Sequence, residues 1–372
     1  MDLLLDDAQL AHRILDHIDH ASTDLGHESW REPVENYRSP ARLLHELHQA
    51  FWRTPTAFCP SAALAKPGAY LARAAAGTPI VAARGTDGKV RAFRNACRHR
   101  GTAVARGTGT AASLVCPYHG WAYALDGTLA HVPHEHGFPG LDKSTHGLVP
   151  LPTSEHGGII FVTQDPTADA AAPPAALPTL LPPDLRLISI DEQETAANWK
   201  IAAESFLEGY HIRSTHRETF YPVQYDNLNV IEFFGRNSRI TFPYRNIEKI
   251  RAQPASARRV AGTLTHVYHL FPNVMIATFP NRTIMVVLEP GGVASTNYVT
   301  YTLAHATAAQ TDLARDADFV TEGAREDRAV VESIQRGLGS GANEHFEFGR
   351  FESAIVHLHR NLHALIADRS MR

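Results

Sequence analysis

Short apolar stretches separated by glycine-containing breaks dominate the chain between residues 80 and 163. They read IVAAR (80–84), VRAFRN (90–95), SLVCP (113–117), WAYAL (121–125) and GGIIFVT (157–163). Runs of this length, rich in β-branched and aromatic residues and bounded by turns such as GTDGK, are typical of strands. The pattern predicts a small all-β module.

A second pattern follows a stretch rich in proline and alanine. DPTADAAAPPAALPTLLPPD, residues 165–184, has neither a helical nor a strand period, which is typical of a linker. Beyond it the residues favour three helices, over 198–213, 310–337 and 350–368. Strand-like runs lie between these helices, at 228–243, 264–271, 274–279, 283–289 and 297–304. The mixture predicts an α+β domain, with an antiparallel sheet packed on long helices, that is large enough to enclose a cavity.

The first 45 residues are amphipathic and helical in pattern but have no core of their own, so we expect them to pack on a larger domain. The expected organisation is therefore an N-terminal helical segment at 1–45 that packs on the α+β domain, and an all-β domain at 46–165. A linker at 166–184 and the α+β domain at 185–372 follow.

Composition and charge exclude several classes of protein. The 372 residues carry 35 Lys and Arg against 39 Asp and Glu, a net charge of −4, which argues against a nucleic-acid binder. The N-terminus carries acids where a signal peptide carries bases, and no apolar run approaches the length that a bilayer requires. We expect a soluble, cytoplasmic protein. Three cysteines are too few for a disulfide framework and leave thiols available for metal.

Two loops pair a cysteine with a histidine. CRHRG contains Cys97 and His99, and CPYHGW contains Cys116 and His119, each beside a glycine and between predicted strands. Thiolate and imidazole together suit zinc or an iron–sulfur cluster. Zinc knuckles tend to use paired cysteine turns, whereas two mixed pairs match the ligand set of a Rieske [2Fe–2S] centre, with two sulfurs on one iron and two imidazoles on the other. Structural zinc is the alternative.

A second set of candidate ligands lies in NWKIAAESFLEGYHIRSTH. On a regular helix Glu208 and His211 are about 60° apart and share a face, whereas His211 and His216 are about 140° apart. The helix must therefore distort or end between the two histidines, near residue 214, if both bind one metal. Two histidines and a carboxylate form the facial triad of non-heme Fe(II) oxygenases, which leaves positions open for dioxygen and substrate.

The third ligand is sought on the helix predicted at 310–337. Its apolar stripe runs through Leu313, Val320, Ala324, Val331, Ile334 and Leu338. Asp327 lies on that stripe, where an aspartate is costly unless it is paired or bound to a cation. We therefore select Asp327, with Asp316 as the reserve candidate and Glu326 as a weaker one.

The two motifs together resemble the Rieske non-heme iron oxygenases. CRHRG and CPYHGW are similar to their Rieske motif, NWK ahead of E-x2-H-x4-H to the catalytic segment of their α subunits, and ED followed by VESIQRGL to their C-terminal ligand helix. The resemblance covers the chain from about 50 to 366. It implies a [2Fe–2S] cluster on the four Cys and His ligands and Fe²⁺ on His211, His216 and Asp327.

The resemblance also implies partners and a role for Glu208. In the family, the carboxylate three residues before the first iron histidine bridges that histidine to a Rieske histidine of a neighbouring subunit, here His211 to His119. Most members have aspartate at this position, and the glutamate resembles the subset that includes carnitine monooxygenase. A ring of subunits, most often a homotrimer, and a separate NAD(P)H reductase, possibly with a ferredoxin, are implied as well.

These expectations describe the terminal oxygenase component of a multicomponent system. It would use O2 to hydroxylate, dihydroxylate or demethylate a small organic molecule, an aromatic compound or aromatic acid. The alternative substrate is a quaternary ammonium compound, and an electron carrier without mononuclear iron is the alternative of another class. Aromatic residues that could line either kind of pocket are Phe206, Phe220, Tyr221, Tyr225, Phe242, Tyr244, Phe271 and Phe279.

Overall fold

A computed structural model describes residues 4–165, 177–305 and 310–367, with side chains omitted for 310–318. The chain divides into two compact units, one made of residues 1–50 and 184–372 and the other of residues 51–183. The N-terminal segment thus shares a unit with the region predicted to be α+β. Residues 166–176 of the predicted linker lie outside the described residues.

The N-terminal segment contains one strand as well as helices. Helix α1 (Asp7–Asp19) is followed by β1 (Trp30–Pro33), α2 (Glu35–Arg38) and α3 (Pro40–Glu46). The Asp6 side chain caps α1 by accepting a 2.8 Å hydrogen bond from the Gln9 N–H. The apolar face of α1 is buried with Leu228, Val230 and Ile247 of the same unit, so the helix gains its core from the larger domain.

The unit of residues 51–183 is all-β, as predicted. Its strands are β2 (Thr56–Pro60), β3 (Ala69–Ala75), β4 (Thr78–Arg84), β5 (Val90–Arg94), β6 (Gly107–Thr110), β7 (Ser113–Val115), β8 (Ala122–Ala124), β9 (Leu129–His131), β10 (Pro150–Leu151), β11 (Thr153–His156) and β12 (Ile159–Val162). They form antiparallel sheets in the orders β10-β5-β4-β3-β6, β11-β12-β2 and β7-β8-β9. Cys97 and Cys116 belong to the core of this unit, with Phe93, Trp121 and Tyr123.

The other unit completes the α+β fold. It contains β13 (Leu185–Thr195), α4 (Trp199–Glu204), α5 (Ile212–Thr215), β14 (Val230–Phe234), β15 (Asn237–Pro243), β16 (Leu264–Leu270), β17 (Val274–Thr278), β18 (Arg282–Gly292), β19 (Ser295–His305), α6 (Gln310–Leu338), β20 (His345–Phe348) and α7 (Ser353–Ala367). A seven-stranded antiparallel sheet has the order β13-β19-β18-β17-β16-β15-β14. The interior strand β18 is buried over residues 282–290, whereas the edge strand β13 exposes its polar residues 191–194. The predicted α+β class with an antiparallel sheet is confirmed.

Three local predictions differ from the structure. The single strand predicted at 228–243 is a hairpin of β14 and β15. Strand β1, predicted as helix, pairs antiparallel with β20, about 315 residues away along the chain, and short-range patterns carry no sign of such a partner. On α6, Val331 and Leu338 of the predicted stripe are buried, but Ile334 is 38% exposed. The Leu313 side chain lies outside the described residues.

Candidate metal centres

The segment between α4 and α5 carries Glu208 and the predicted iron ligand His211, and it is not helical. The prediction of one helix over 198–213 is wrong, because α4 ends at Glu204 and α5 begins at Ile212. The Glu208 carboxylate accepts hydrogen bonds from the backbone N–H groups of Tyr210 and His211. In a continuous helix these two N–H groups would bond to the carbonyls four residues earlier. Because they bond to the Glu208 side chain instead, the helix is interrupted here.

Three donor atoms meet next to the short helix α5. The structure brings His211, which precedes α5, and His216, which follows it, next to Asp327 on α6. Asp327 Oδ1 lies 2.9 Å from His216 Nε2 and 3.5 Å from His211 Nε2. One ligand atom from each of the three residues falls within 4.8 Å of the others. Two imidazole nitrogens and one carboxylate oxygen at this separation can bind one divalent cation on a single face.

A carboxylate orients each imidazole from its other nitrogen. His211 Nδ1 donates to Glu208 Oε1, and His216 Nδ1 lies 2.8 Å from Glu326 Oε2. Thr219 Oγ1 donates to the same Glu326 oxygen at 2.6 Å, which fixes that carboxylate in turn. Metal-binding histidines usually donate their second N–H in this way, which leaves the Nε2 lone pair free for a metal.

Sequence reasoning considered Glu326 only as a weak ligand candidate and missed this contact. The sequence offered one indication of this contact, which is that Glu326 is adjacent to Asp327 on the same predicted helix. The reserve candidate, Asp316, has its side chain outside the described residues.

The pKa values at this site reflect an excess of negative charge. Burial lowers the pKa of His211, but the carboxylates of Glu208 and Asp327 outweigh it and raise that pKa to about 10. Burial raises the pKa of Asp327, yet hydrogen bonds from the two histidines bring it below its usual value. Burial and the Asp327 carboxylate together raise the pKa of Tyr298. An environment of this sign attracts a cation.

A cavity of about 510 Å³ opens beside the three donor atoms. Four of the eight aromatic residues proposed from the sequence line it, and they are Phe206, Phe220, Phe242 and Phe279. Phe220 also packs edge-on against the His216 ring, with 4.6 Å between the ring centroids. The other four, Tyr221, Tyr225, Tyr244 and Phe271, are not among its lining residues. Charged residues in the wall, besides the donors and Glu208, are Asp191, Arg282 and Arg328.

The two Cys/His loops contain the same hydrogen-bonded backbone turn. The Gly101 N–H donates to the Cys97 carbonyl at 2.8 Å, and the Gly120 N–H donates to the Cys116 carbonyl at 3.0 Å. Both glycines have positive φ, +83° and +75°, which side chains rarely tolerate, and this explains the glycine in each motif. The same turn therefore follows each cysteine, although His99 is two residues and His119 three residues after its cysteine.

The cysteines and histidines of these two loops differ in how far they are exposed. Cys97 and Cys116 are 4% and 3% exposed, whereas His119 is exposed and His99 is partly buried. The two imidazoles approach each other, with 3.0 Å between their Nδ1 atoms. Within the described part of the chain, however, these four residues form no group with three ligand atoms inside 4.8 Å. Four ligands of one zinc would be closer together, so the spacing fits a two-iron cluster, with inner thiolates and outer imidazoles, better than zinc.

Tyr123 on the β8 strand contacts the cysteine loop. Its hydroxyl accepts a 2.9 Å hydrogen bond from the Arg98 N–H and lies 3.2 Å from Cys97 Sγ. As a cluster ligand Cys97 would be a thiolate without a proton, so the Tyr123 hydroxyl would be the donor to its sulfur. Sequence reasoning missed this residue, because nothing in WAYAL distinguishes it from a core tyrosine.

No helix within the described ranges has the length and apolar character needed to cross a membrane.

Each of the two units matches a known protein family. Residues 184–368 match the family described as ring hydroxylating alpha subunit (catalytic domain), and residues 54–149 match the Rieske [2Fe-2S] domain. The carnitine monooxygenase oxygenase subunit of Escherichia coli (strain K12) is 29% identical over 370 residues, which covers 92% of this chain and 95% of the relative. The chloroplastic choline monooxygenase of Spinacia oleracea is 27% identical over 352 residues, 88% of this chain and 76% of the relative.

A solved structure with a similar fold is the quaternary ammonium Rieske monooxygenase CntA in complex with an inhibitor. Its TM-score is 0.77 at 25% identity, and the match covers 92% of this chain and 97% of CntA.

Proposed function

The chain belongs to the Rieske non-heme iron oxygenases as an alpha subunit, and we propose that it inserts oxygen into a quaternary ammonium compound at the cavity beside His211, His216 and Asp327. Its cofactors are a [2Fe–2S] cluster and mononuclear iron. The observation that carries the proposal is the convergence of two Nε2 atoms and one carboxylate oxygen at the wall of a 510 Å³ cavity lined with phenylalanine.

The residues of this chain prepare the site in three ways. His211, His216 and Asp327 would hold Fe²⁺ on one face, which leaves the opposite face toward the cavity. Glu208 and Glu326 keep protons on the Nδ1 atoms, so both Nε2 atoms stay available as ligands. When bound, the iron supplies dioxygen activation and the cluster supplies electrons. The apolar lining excludes water from the substrate C–H bond.

The cluster ligands in this proposal are Cys97, His99, Cys116 and His119. Electrons would reach them from a separate NAD(P)H reductase, directly or through a ferredoxin. We propose that Glu208 links the two metal centres across subunits, most simply in a homotrimer. Its side chain is 12% exposed while it holds His211, and Oε1, which accepts the His211 Nδ1–H, can accept a second hydrogen bond. His119 of a neighbouring copy, which is exposed, is the donor that we propose for it.

The choice of a quaternary ammonium substrate over an aromatic one rests on charge and on relatives. The carnitine and choline monooxygenases, named for quaternary ammonium compounds, match nearly the whole chain. Phenylalanine rings attract a trimethylammonium group through their faces. Asp191 adds negative charge to the cavity wall, and Arg282 and Arg328 add positive charge. In a zwitterionic substrate the ammonium group could pair with Asp191 and the carboxylate with an arginine. A neutral aromatic ring would use the phenylalanines but neither charge, and an aromatic acid would use the arginines but not Asp191.

The test is substrate-dependent oxygen consumption by the iron-loaded protein with a reductase partner and NAD(P)H, with products identified by mass spectrometry. Carnitine, choline and glycine betaine are compared with benzoate and with 3,3-dimethylbutanol, the uncharged isostere of choline. We expect an oxygenated product from at least one trimethylammonium compound, and less from the isostere than from choline. Product from benzoate alone would overturn the choice of substrate and restore the aromatic alternative.

A further inference from the structure

A second group of histidines and a carboxylate lies within the same unit, apart from the catalytic cavity. Its members are Glu32 on the β1 strand and His359 and His363 on the α7 helix, and none of them lines the cavity. One ligand atom of each falls within 4.8 Å of the others. Within the described residues, only this group and the His211, His216 and Asp327 group meet that criterion.

The positions of the donors suit a metal. His359 and His363 are four residues apart on one helix, so both imidazoles leave the same face. Glu32 Oε2 lies 3.0 Å from His363 Nε2 and 3.6 Å from His359 Nδ1. Two imidazoles and one carboxylate are a frequent donor set for zinc, which takes a water molecule as the fourth ligand. The His363 side chain is 37% exposed, which gives such a water a path to the site.

His359 provides an independent indication that a ligand belongs here. The residue is fully buried, and its Nδ1 atom has no hydrogen-bond partner among the described residues. Nδ1 faces Glu32, while Nε2 lies 2.8 Å from Glu204 Oε1. A proton on Nε2, donated to Glu204, would leave a lone pair on Nδ1 pointing into the group. Carboxylate, histidine and metal are linked in this way at many zinc sites.

The Glu32 carboxylate is oriented by hydrogen bonds to both of its oxygens. Trp30 Nε1 donates to Oε2 at 2.9 Å, and Asn36 Nδ2 donates to Oε1 at 2.7 Å. The residue is 0% exposed. Both Glu32 oxygens also lie close to His363 Nε2, with Oε1 at 3.1 Å and Oε2 at 3.0 Å. The Glu32 carboxylate is therefore held in one orientation at this position.

We propose that Glu32, His359 and His363 form a zinc-binding site, which is independent of the proposed oxygenase function. The cation would join the N-terminal β1 strand to the C-terminal α7 helix. Through His359 and Glu204 it would also fix the end of α4, where the chain turns toward the catalytic segment. Tyr37 already donates to Glu204 at 2.7 Å, so the metal would complete a network that is otherwise made of hydrogen bonds.

The experiment measures zinc and iron per chain in the holoenzyme after incubation with Zn²⁺ and desalting. The wild type should hold about one zinc, with its iron content unchanged. His363→Ala should lose that zinc, with affinity reduced more than about a hundredfold, and keep its iron. The matched control His357→Ala, on the same helix but outside the group, should keep both metals.

Two further variants, Glu32→Gln and Asp327→Ala, are compared in the same metal analysis. Glu32→Gln keeps the shape of the side chain but removes its charge, and it should also lose zinc. Asp327→Ala should keep zinc even if it loses iron, which separates this inference from the proposed function. A wild-type far-UV circular dichroism spectrum and melting transition in each variant verify folding of the unit that carries the group. Equal zinc in the wild type and His363→Ala, or none in the wild type, would overturn the proposal and leave the group as an internal ion pair.

Discussion

The Glu326 carboxylate lies 2.8 Å from His216 Nδ1, on the side of the ring opposite Asp327. One histidine is thus held between two adjacent residues of the α6 helix. Since neighbouring helical residues point about 100° apart, one can contact Nε2 while the other contacts Nδ1.

Replacing Glu326 with alanine should weaken iron binding without removing a ligand. Loss of this carboxylate frees the His216 ring to rotate and removes the acceptor that keeps its proton on Nδ1. Affinity for Fe²⁺ should fall about 10- to 100-fold, as measured by competition with a chelator. Glu322→Ala, on the same helix with an exposed salt bridge to Arg325, is the matched control and should bind iron normally. Normal affinity in Glu326→Ala would mean that the His216 ring needs no such support.

Replacing Glu208 with glutamine should separate metal binding from turnover. Both metals should stay bound, because Glu208 is not one of the proposed ligands, and the amide oxygen still accepts a hydrogen bond. Product formation should fall at least about tenfold because the neutral group no longer fixes the imidazoles on either side. Single-turnover assays with a pre-reduced cluster measure this transfer directly. Glu218→Gln, an acid whose side chain is 87% exposed, should behave as the wild type. Undiminished turnover in Glu208→Gln would remove the bridge from the proposal.

Replacing Tyr123 with phenylalanine should lower the reduction potential of the cluster. The Tyr123 hydroxyl lies 3.2 Å from Cys97 Sγ, and a hydrogen bond to sulfur stabilises the more negative, reduced state. A bond worth about 1 kcal/mol corresponds to a fall of roughly 40 mV for one electron. Redox titration followed by EPR measures the shift, and Tyr70→Phe in the same unit serves as the control. An unchanged potential would show that the hydroxyl does not donate to Cys97.

A buried ion pair holds the start of α4. Lys200 Nζ lies 2.8 Å from Glu46 Oε2, and the two side chains are 1% and 0% exposed. Lys200→Met leaves a buried carboxylate with fewer partners and should destabilise the protein by about 3–5 kcal/mol in denaturant unfolding. Lys249→Met, at an exposed position, should have little effect. The double variant Lys200→Met with Glu46→Gln should recover part of the loss, and a double variant less stable than Lys200→Met would contradict this account.

The parts of the fold and site that follow from sequence are those set by short-range spacing. Strands β4, β5, β7, β8 and β12 of the all-β unit were predicted from runs of five to seven residues, and the Cys/His loops from motifs that contain Gly101 and Gly120. The choice of Asp327 came from its place on an apolar stripe, and the structure brings it to the two histidines.

Interactions that depend on distant residues or on one side-chain conformation were not predictable. The helix break at 205–211 depends on the Glu208 carboxylate taking two backbone N–H groups, which residue types alone do not indicate. The pairing of β1 with β20 joins the two ends of the chain. The contact of Glu326 with His216 depends on how α6 is rotated against α5, which the stripe defines only to within about one residue.

Iron and acid-labile sulfide analysis of the wild type beside Asp327→Ala tests the central claim most directly. The wild type should contain about three irons and two sulfides per chain, two irons in the cluster and one at the triad. Asp327→Ala should contain about two irons and two sulfides, with an unchanged Rieske EPR signal. About three irons in Asp327→Ala, or loss of iron in Asp316→Ala instead, would contradict the assignment of the third ligand. About two irons in the wild type would make the chain an electron carrier.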